Sequence, residues 1–203
     1  MTNQLMAHPW HGVSAGESAP EKINVYVEIV PSDTVKYEID KESGLLKIDR
    51  PQKFSNIIPV LYGFVPKTYC NKKVKELAVK SGARDVITGD LDPLDICVLS
   101  SHPVRSGGFL LEAIPIGGLK MIDDGEADDK IISVLVGDHV FGNFRDISEV
   151  PEAEIKRLIH YFLTYKNLPG EPAKCRIENI YGAEHAKEVI GASLSDYESK
   201  FLK

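Results

Sequence analysis

The sequence predicts an α+β chain, mainly β: a small barrel or strongly curved sheet first, helices last. Two observations predict this. Short runs of alternating apolar and polar residues, broken by Gly and Pro, fill the first two thirds of the 203 residues. In the last quarter the apolar period lengthens to that of a helix.

The elements follow in order. Residues 1–21 contain Pro9, Gly12, Gly16 and Pro20 without periodicity and read as an N-terminal arm. Residues 23–30 alternate as a half-buried strand does, and residues 35–40 repeat the pattern. Lys41-Glu42-Ser43-Gly44 makes a hairpin turn, Gly44 being free to take positive φ, and residues 45–49 return. Residues 57–65 form a further strand, confined to an edge or bulge by Pro59. Residues 71–89 are polar and read as an insertion between strands. Residues 94–99, 109–116 and 131–136 complete the strand set. Ile155, Leu158, Ile159, Phe162 and Tyr165 then share one helix face, with Ser148 as N-cap and Pro151 in the first turn. A second helix starts near Gly182 and runs through Ala186, Val189 and Ile190 towards Tyr197. The length suits one domain over residues 1–203.

Composition excludes several classes. Hydrophobic residues at 43% and charged residues at 27% argue against disorder. No apolar run approaches the roughly 18 residues of a membrane helix, and residues 1–10 do not read as a signal peptide. Cys70, Cys97 and Cys175 are few and widely spaced, so a disulfide scaffold is not expected and a cytoplasmic location is. A net charge of −6 speaks against a nucleic-acid partner. It also argues against a strand-binding barrel, which needs a basic groove with exposed aromatics.

The charge is unevenly placed. Between Asp85 and Lys130 ten acids face only Arg105, Lys120 and Lys130, so the rest of the chain is close to neutral. The sharpest cluster is Asp90-Leu91-Asp92-Pro93-Leu94-Asp95, directly before an apolar strand. In extended chain Asp90 and Asp92 share a face, and Pro93 bends the backbone so that Asp95 swings towards them. A plain acidic turn is the milder reading. Three converging carboxylates are costly without cations, however, and hard divalent ions such as Mg²⁺ take oxygen ligands of this kind. The spacing does not fit a calcium EF-hand, whose fifth, sixth and twelfth places would hold Leu94, Asp95 and Ser101. A second acidic stretch, residues 120–130, reads alone as a solvated loop between strands. If it faces the first, two loops share several ions, the usual apparatus for attack on phosphorus. Phosphate-loop, dinucleotide, zinc-protease and serine-elbow motifs are all absent from the sequence.

The ordered stretches resemble the first family of soluble, Mg²⁺-dependent inorganic pyrophosphatases. Asp-x-Asp-Pro-x-Asp is that family's signature. Val27-Glu28-Ile29, Lys36-Tyr37-Glu38-Ile39-Asp40-Lys41, Lys47-Ile48-Asp49-Arg50, Tyr62-Gly63-Phe64-Val65-Pro66, Lys120-Met121-Ile122-Asp123 and Tyr165-Lys166 occur in its order. The resemblance runs from about Pro9 to about Asn167. It implies a five-stranded, OB-like barrel with flanking helices, and hydrolysis of pyrophosphate to two orthophosphates. The implied attack is in line, by a water activated by three to four Mg²⁺ and without a covalent intermediate; Mn²⁺ or Zn²⁺ are possible substitutes. Asp90, Asp95 and Asp128 would hold the tightest ion, Asp95 also a second, Asp123 and Asp128 a third, and Glu28 with support from Glu38 a fourth. Asp92 would be the general base. Lys36 and Tyr62 would grip the electrophilic phosphoryl group, Arg50, Tyr165 and Lys166 the leaving phosphate, and Lys130 would line the same cavity. A homo-oligomer, dimer or hexamer, is implied as well. The alternative is a non-catalytic acidic module that binds divalent metal.

Three features depart from the family pattern. The insertion at 71–89 lengthens the loop before the signature. Ile58 or Val60 stands where a tyrosine is common. The lysine usually found a few residues after Lys166 has no clear counterpart, since Lys174 follows a Pro- and Gly-containing stretch.

Overall fold

A computed structural model describes residues 6–51 and 57–202; the first five residues of the expected arm lie outside the described residues. The described residues are mainly β with three α-helices. Strands β1 (Ile23–Ile29), β4 (Leu61–Phe64), β6 (Asp95–Leu99), β9 (Lys130–Leu135) and β7 (Phe109–Asp123) pair successively, and β7 pairs back onto β1. The β6–β9 pair is parallel; the other four in this circuit are antiparallel. β2 (Val35–Ile39) and β3 (Leu46–Pro51) form a separate hairpin across the expected turn, where Gly44 has φ +72. Short strands β5 (Thr88–Gly89) and β8 (Glu126–Ala127) extend the sheet beyond β7, and β10 (Cys175–Gly182) lies along it.

Several expectations are corrected. β7 does not stop at Ile116 but runs for fifteen residues to Asp123. The irregularity is a bulge between Pro115 and Gly117 rather than an end, and Gly117 and Gly118 stay paired beyond it: a Cβ at Gly117 would lie 2.5 Å from the Tyr181 carbonyl oxygen, so the two glycines admit close packing of β10. The second acidic stretch is therefore the end of a strand, a turn at Asp124-Gly125 and β8, not a loop alone. β10 is an edge strand with half of its residues exposed and a bulge between Ile177 and Asn179, a pattern too irregular to read as period two. The insertion holds helix α1 (Lys72–Lys80), and the strand expected at 57–65 is regular only over Leu61–Phe64. Ser148 is not the cap of the long helix. Asp146 caps a short 3₁₀ turn over Ile147–Glu149 with a reciprocal bond from its backbone N–H to Glu149, and α2 (Glu152–Thr164) starts after Pro151.

The helices cover two faces of the sheet. Ile155, Leu158 and Phe162 of α2 bury against Ile116, Leu119 and Met121 of β7 and Cys97 of β6. Helix α3 (Ala183–Phe201) buries Ala186, Val189 and Ile190 in the other core, with Val25, Ile96 and Ile131. The arm is tied down. Trp10 is buried between Tyr69, Tyr197 and Phe201 and donates its indole N–H to the Thr68 carbonyl at 2.8 Å. Cys70, Cys97 and Cys175 are free and buried. Among the described residues no helix is long and apolar enough to cross a membrane.

At the centre of β4 the backbones of β1 and β4 touch across Gly63. A Cβ there would fall 1.9 Å from the Tyr26 carbonyl oxygen and 2.9 Å from the Val27 Cα. Neither neighbour is a flexible side chain, so Gly63→Ala has to push two paired strands apart. Overpacking of this kind costs about 1–3 kcal/mol or more. Urea unfolding of Gly63→Ala is expected to show at least that loss, and a midpoint unchanged from wild type would contradict the close approach.

Candidate active site

One cleft opens where the N-terminal end of β6, the C-terminal end of β7 and the start of β9 meet the β2–β3 hairpin and the end of α2. All thirteen side chains singled out in the sequence line it. β1 supplies Glu28, β2 Lys36 and Glu38, β3 Arg50, and β4 Tyr62. Asp90 and Asp92 come from the loop after β5, and Asp95 is the first residue of β6. Asp123 ends β7, Asp128 precedes β9, and Lys130 opens it. Tyr165 and Lys166 follow the last turn of α2.

The signature loop is shaped locally. Leu91 has φ +62, and the Asp92 backbone N–H donates to Asp90 Oδ1 at 3.0 Å. This tight turn aims Asp90 inward, and the strand geometry of β6 aims Asp95 the same way. Asp90, Asp95 and Asp128 each place a carboxylate oxygen within 4.8 Å of the others. Burial, then the neighbouring Asp128 and Asp95, push the Asp90 carboxyl well above the usual range; burial also raises Asp128 against the pull of Lys130. Glu28 is 5% exposed and accepts the Ile39 backbone N–H at 2.7 Å. Burial is the main reason its carboxyl is pushed up to about 8.

Cations are interleaved with these acids. Lys130, 1% exposed, bonds both Asp95 and Asp128. Burial opposes its charge, yet Asp128 and Asp95 outweigh that and hold it protonated. Lys166 bonds Asp123. Lys36 donates to Glu38 at 2.8 Å and lies 3.2 Å from Asp49, which also receives Arg50 at 2.7 Å. The Tyr165 ring stands between two of these groups, 6.0 Å from the Arg50 guanidinium and 5.4 Å from the Lys166 ammonium. Tyr62 is buried, and burial followed by the Asp95 charge keeps its hydroxyl protonated.

The donor set can be tested against a cation. Among the described residues lining the cleft there is no His or Cys, so the ligands are oxygen alone. That chemistry fits a hard divalent ion better than zinc or copper.

The sequence reading left out two charged residues of the cleft. Lys41, in the hairpin turn, bonds Asp92, and Glu126 lines the acidic side. Both stand within quoted stretches, but nothing in their spacing distinguishes them from turn residues. Conversely, Asp129 faces away from the cleft. It is buried, accepts the Tyr181 hydroxyl at 2.9 Å, and burial pushes it up to about 7. Lys174 is exposed and does not reach the site; Ile58 and Val60 are core residues.

The family model described as inorganic pyrophosphatase matches residues 25–198, and the chain belongs to that family. The inorganic pyrophosphatase of Chlamydia muridarum is 49% identical over 202 residues, covering 97% of both chains. Soluble inorganic pyrophosphatase 1 of Arabidopsis thaliana is 38% identical over 198 residues, covering 98% of this chain and 84% of that one. The crystal structure of the Thermus thermophilus enzyme superposes with a TM-score of 0.78 at 28% identity, covering 95% of this chain and 99% of that one.

Lys130 is the internal counter-charge of the carboxylate trio. In the presence of chelator at neutral pH, Lys130→Met is expected to lose about 3–5 kcal/mol of stability, less whatever the acids recover by taking up protons. Mg²⁺ is expected to restore most of it. A thermal melt whose loss Mg²⁺ does not reverse would make Lys130 a packing residue against Phe162 instead.

Proposed function

We propose that the chain hydrolyses inorganic pyrophosphate to two orthophosphates by in-line attack of water, without a covalent intermediate, on a five-stranded OB-like barrel. The observation that carries this reading is the convergence of Asp90, Asp95 and Asp128 within 4.8 Å in a cleft that also holds Lys36, Arg50, Tyr62, Lys130, Tyr165 and Lys166. Carboxylates alone repel a polyanion, and cations alone do not prepare a nucleophile; both are needed together.

The site is read as taking three to four Mg²⁺. Asp90, Asp95 and Asp128 would hold the tightest ion, Asp95 also a second, Asp123 with Asp128 a third, and Glu28 with Glu38 a fourth. When bound, such ions reverse the sign of the field and make water more acidic. The residues do the rest. Asp92 accepts the proton of the attacking water. Its side chain is 40% exposed, against 22% for Asp95 and 11% for Asp128, so it alone of the three reaches well into open cleft. Lys36 and Tyr62 orient the phosphoryl group under attack. Arg50, Tyr165 and Lys166 neutralise charge as it moves onto the leaving phosphate. A cytoplasmic location and assembly as a homodimer or homohexamer belong to the same reading and rest on the family.

Phosphate release tests it. Purified protein is expected to release phosphate from pyrophosphate with Mg²⁺, to stop in chelator, and to turn over ATP far more slowly. Folded protein that binds Mg²⁺ without turnover would be a metal-binding module. Asp92→Asn is expected to keep Mg²⁺ affinity by calorimetry while turnover falls about 10²–10⁴-fold. Loss of affinity instead would make Asp92 a ligand.

A further inference from the structure

The signature loop is held from behind by a residue nearly at the other end of the chain. Cys70 brackets the loop with both of its backbone groups: its N–H donates to the Asp92 carbonyl at 2.9 Å, and its carbonyl accepts the Leu91 N–H at 3.0 Å. The approach is close, since a Cβ on Gly89 would fall 2.4 Å from the Cys70 carbonyl oxygen. The residues on either side of Cys70 are both fastened to α3. Tyr69 donates its N–H to the Ser193 carbonyl at 3.0 Å, and Asn71 donates its N–H to Asp196 Oδ2 at 3.0 Å. The same Asp196 carboxylate accepts from Lys73 at 2.9 Å and Val74 at 3.1 Å. It therefore caps α1 from outside, because Asn71 makes no side-chain cap of its own. Asp196 is 4% exposed, so these bonds are made out of water's reach.

We infer that Asp196 is a positioning residue for the reaction: through Asn71 and Cys70 it fixes the backbone that presents Asp90 and Asp92. This gives the insertion and the C-terminal helix a shared task. The inference rests on the proposed roles of Asp90 and Asp92, but its geometric part is open to test without substrate. Outer supports of metal-binding carboxylates typically change affinity or activity by about 10–100-fold when removed.

The test compares Asp196→Ala with Val189→Ala, a core substitution on the same helix. Hydrogen exchange on the metal-free proteins is expected to show faster exchange of the Cys70 and Leu91 amides in Asp196→Ala, with Ile132 and Val134 still protected. Calorimetry is expected to show Mg²⁺ binding weakened by about 10-fold or more. Val189→Ala is expected to lower the melting temperature and do neither. If Asp196→Ala fails to fold, Asp196→Asn, which keeps one acceptor oxygen, is expected to show the same pattern in smaller measure. Wild-type exchange and wild-type Mg²⁺ affinity in the folded variant overturn the inference. So does weakened affinity without a change at Cys70 and Leu91. Failure of the wild-type protein to hydrolyse pyrophosphate would overturn the proposed function instead, leaving the exchange result to judge the brace.

Discussion

Three carboxylates that approach within 4.8 Å in a partly buried cleft repel one another, and the fold has to supply what makes that tolerable. It does so with Lys130, whose ammonium bonds Asp95 and Asp128 and is itself almost wholly buried. The same arrangement recurs around the cleft, where Lys166 meets Asp123, Lys36 meets Glu38 and Lys41 meets Asp92. Five cations stand among eight acids in the cleft, so the strongly acidic segment from Asp85 to Lys130 is partly balanced there and the cleft stays net acidic.

Balance of this kind also suits the proposed reaction. A cation that bonds a carboxylate stands where a divalent ion would compete for that carboxylate. With the acids so occupied, the lysines would be free to turn to a phosphate oxygen at little conformational cost, since their stems are already held. Lys130 illustrates this: its ammonium lies 5.9 Å from the Phe162 ring, and the packing of α2 fixes that ring.

The sheet brings the acids to one point. Asp95 opens β6 and Lys130 opens β9, and these two strands are parallel neighbours, so their first residues fall side by side. β7 runs antiparallel to β9, which returns its last residue, Asp123, to the same end. Two acidic stretches separated in sequence thus meet because strand direction and register leave them nowhere else.

Much of the site was legible in the chain. Asp90, Asp92 and Asp95 all reach the cleft, as their spacing suggested, but through a turn with Leu91 at φ +62 rather than along extended backbone, and the carboxylates that converge are those of Asp90, Asp95 and Asp128. The apolar face of α2 and the β2–β3 turn are local properties. What only the tertiary structure decided is non-local. That Asp128 points into the cleft while Asp129 points into the core depends on how β9 sits in the sheet, and the two residues look alike in sequence. That Gly117 and Gly118 continue a strand rather than end it goes with Tyr181 of β10 packing directly on them. That Asp196 braces a loop more than a hundred residues away depends on α3 packing beside α1. Backbone geometry acts over a few residues and can be read from their order; which carboxylate finds a cation, a hydroxyl or a backbone N–H is settled by what the folded chain places beside it.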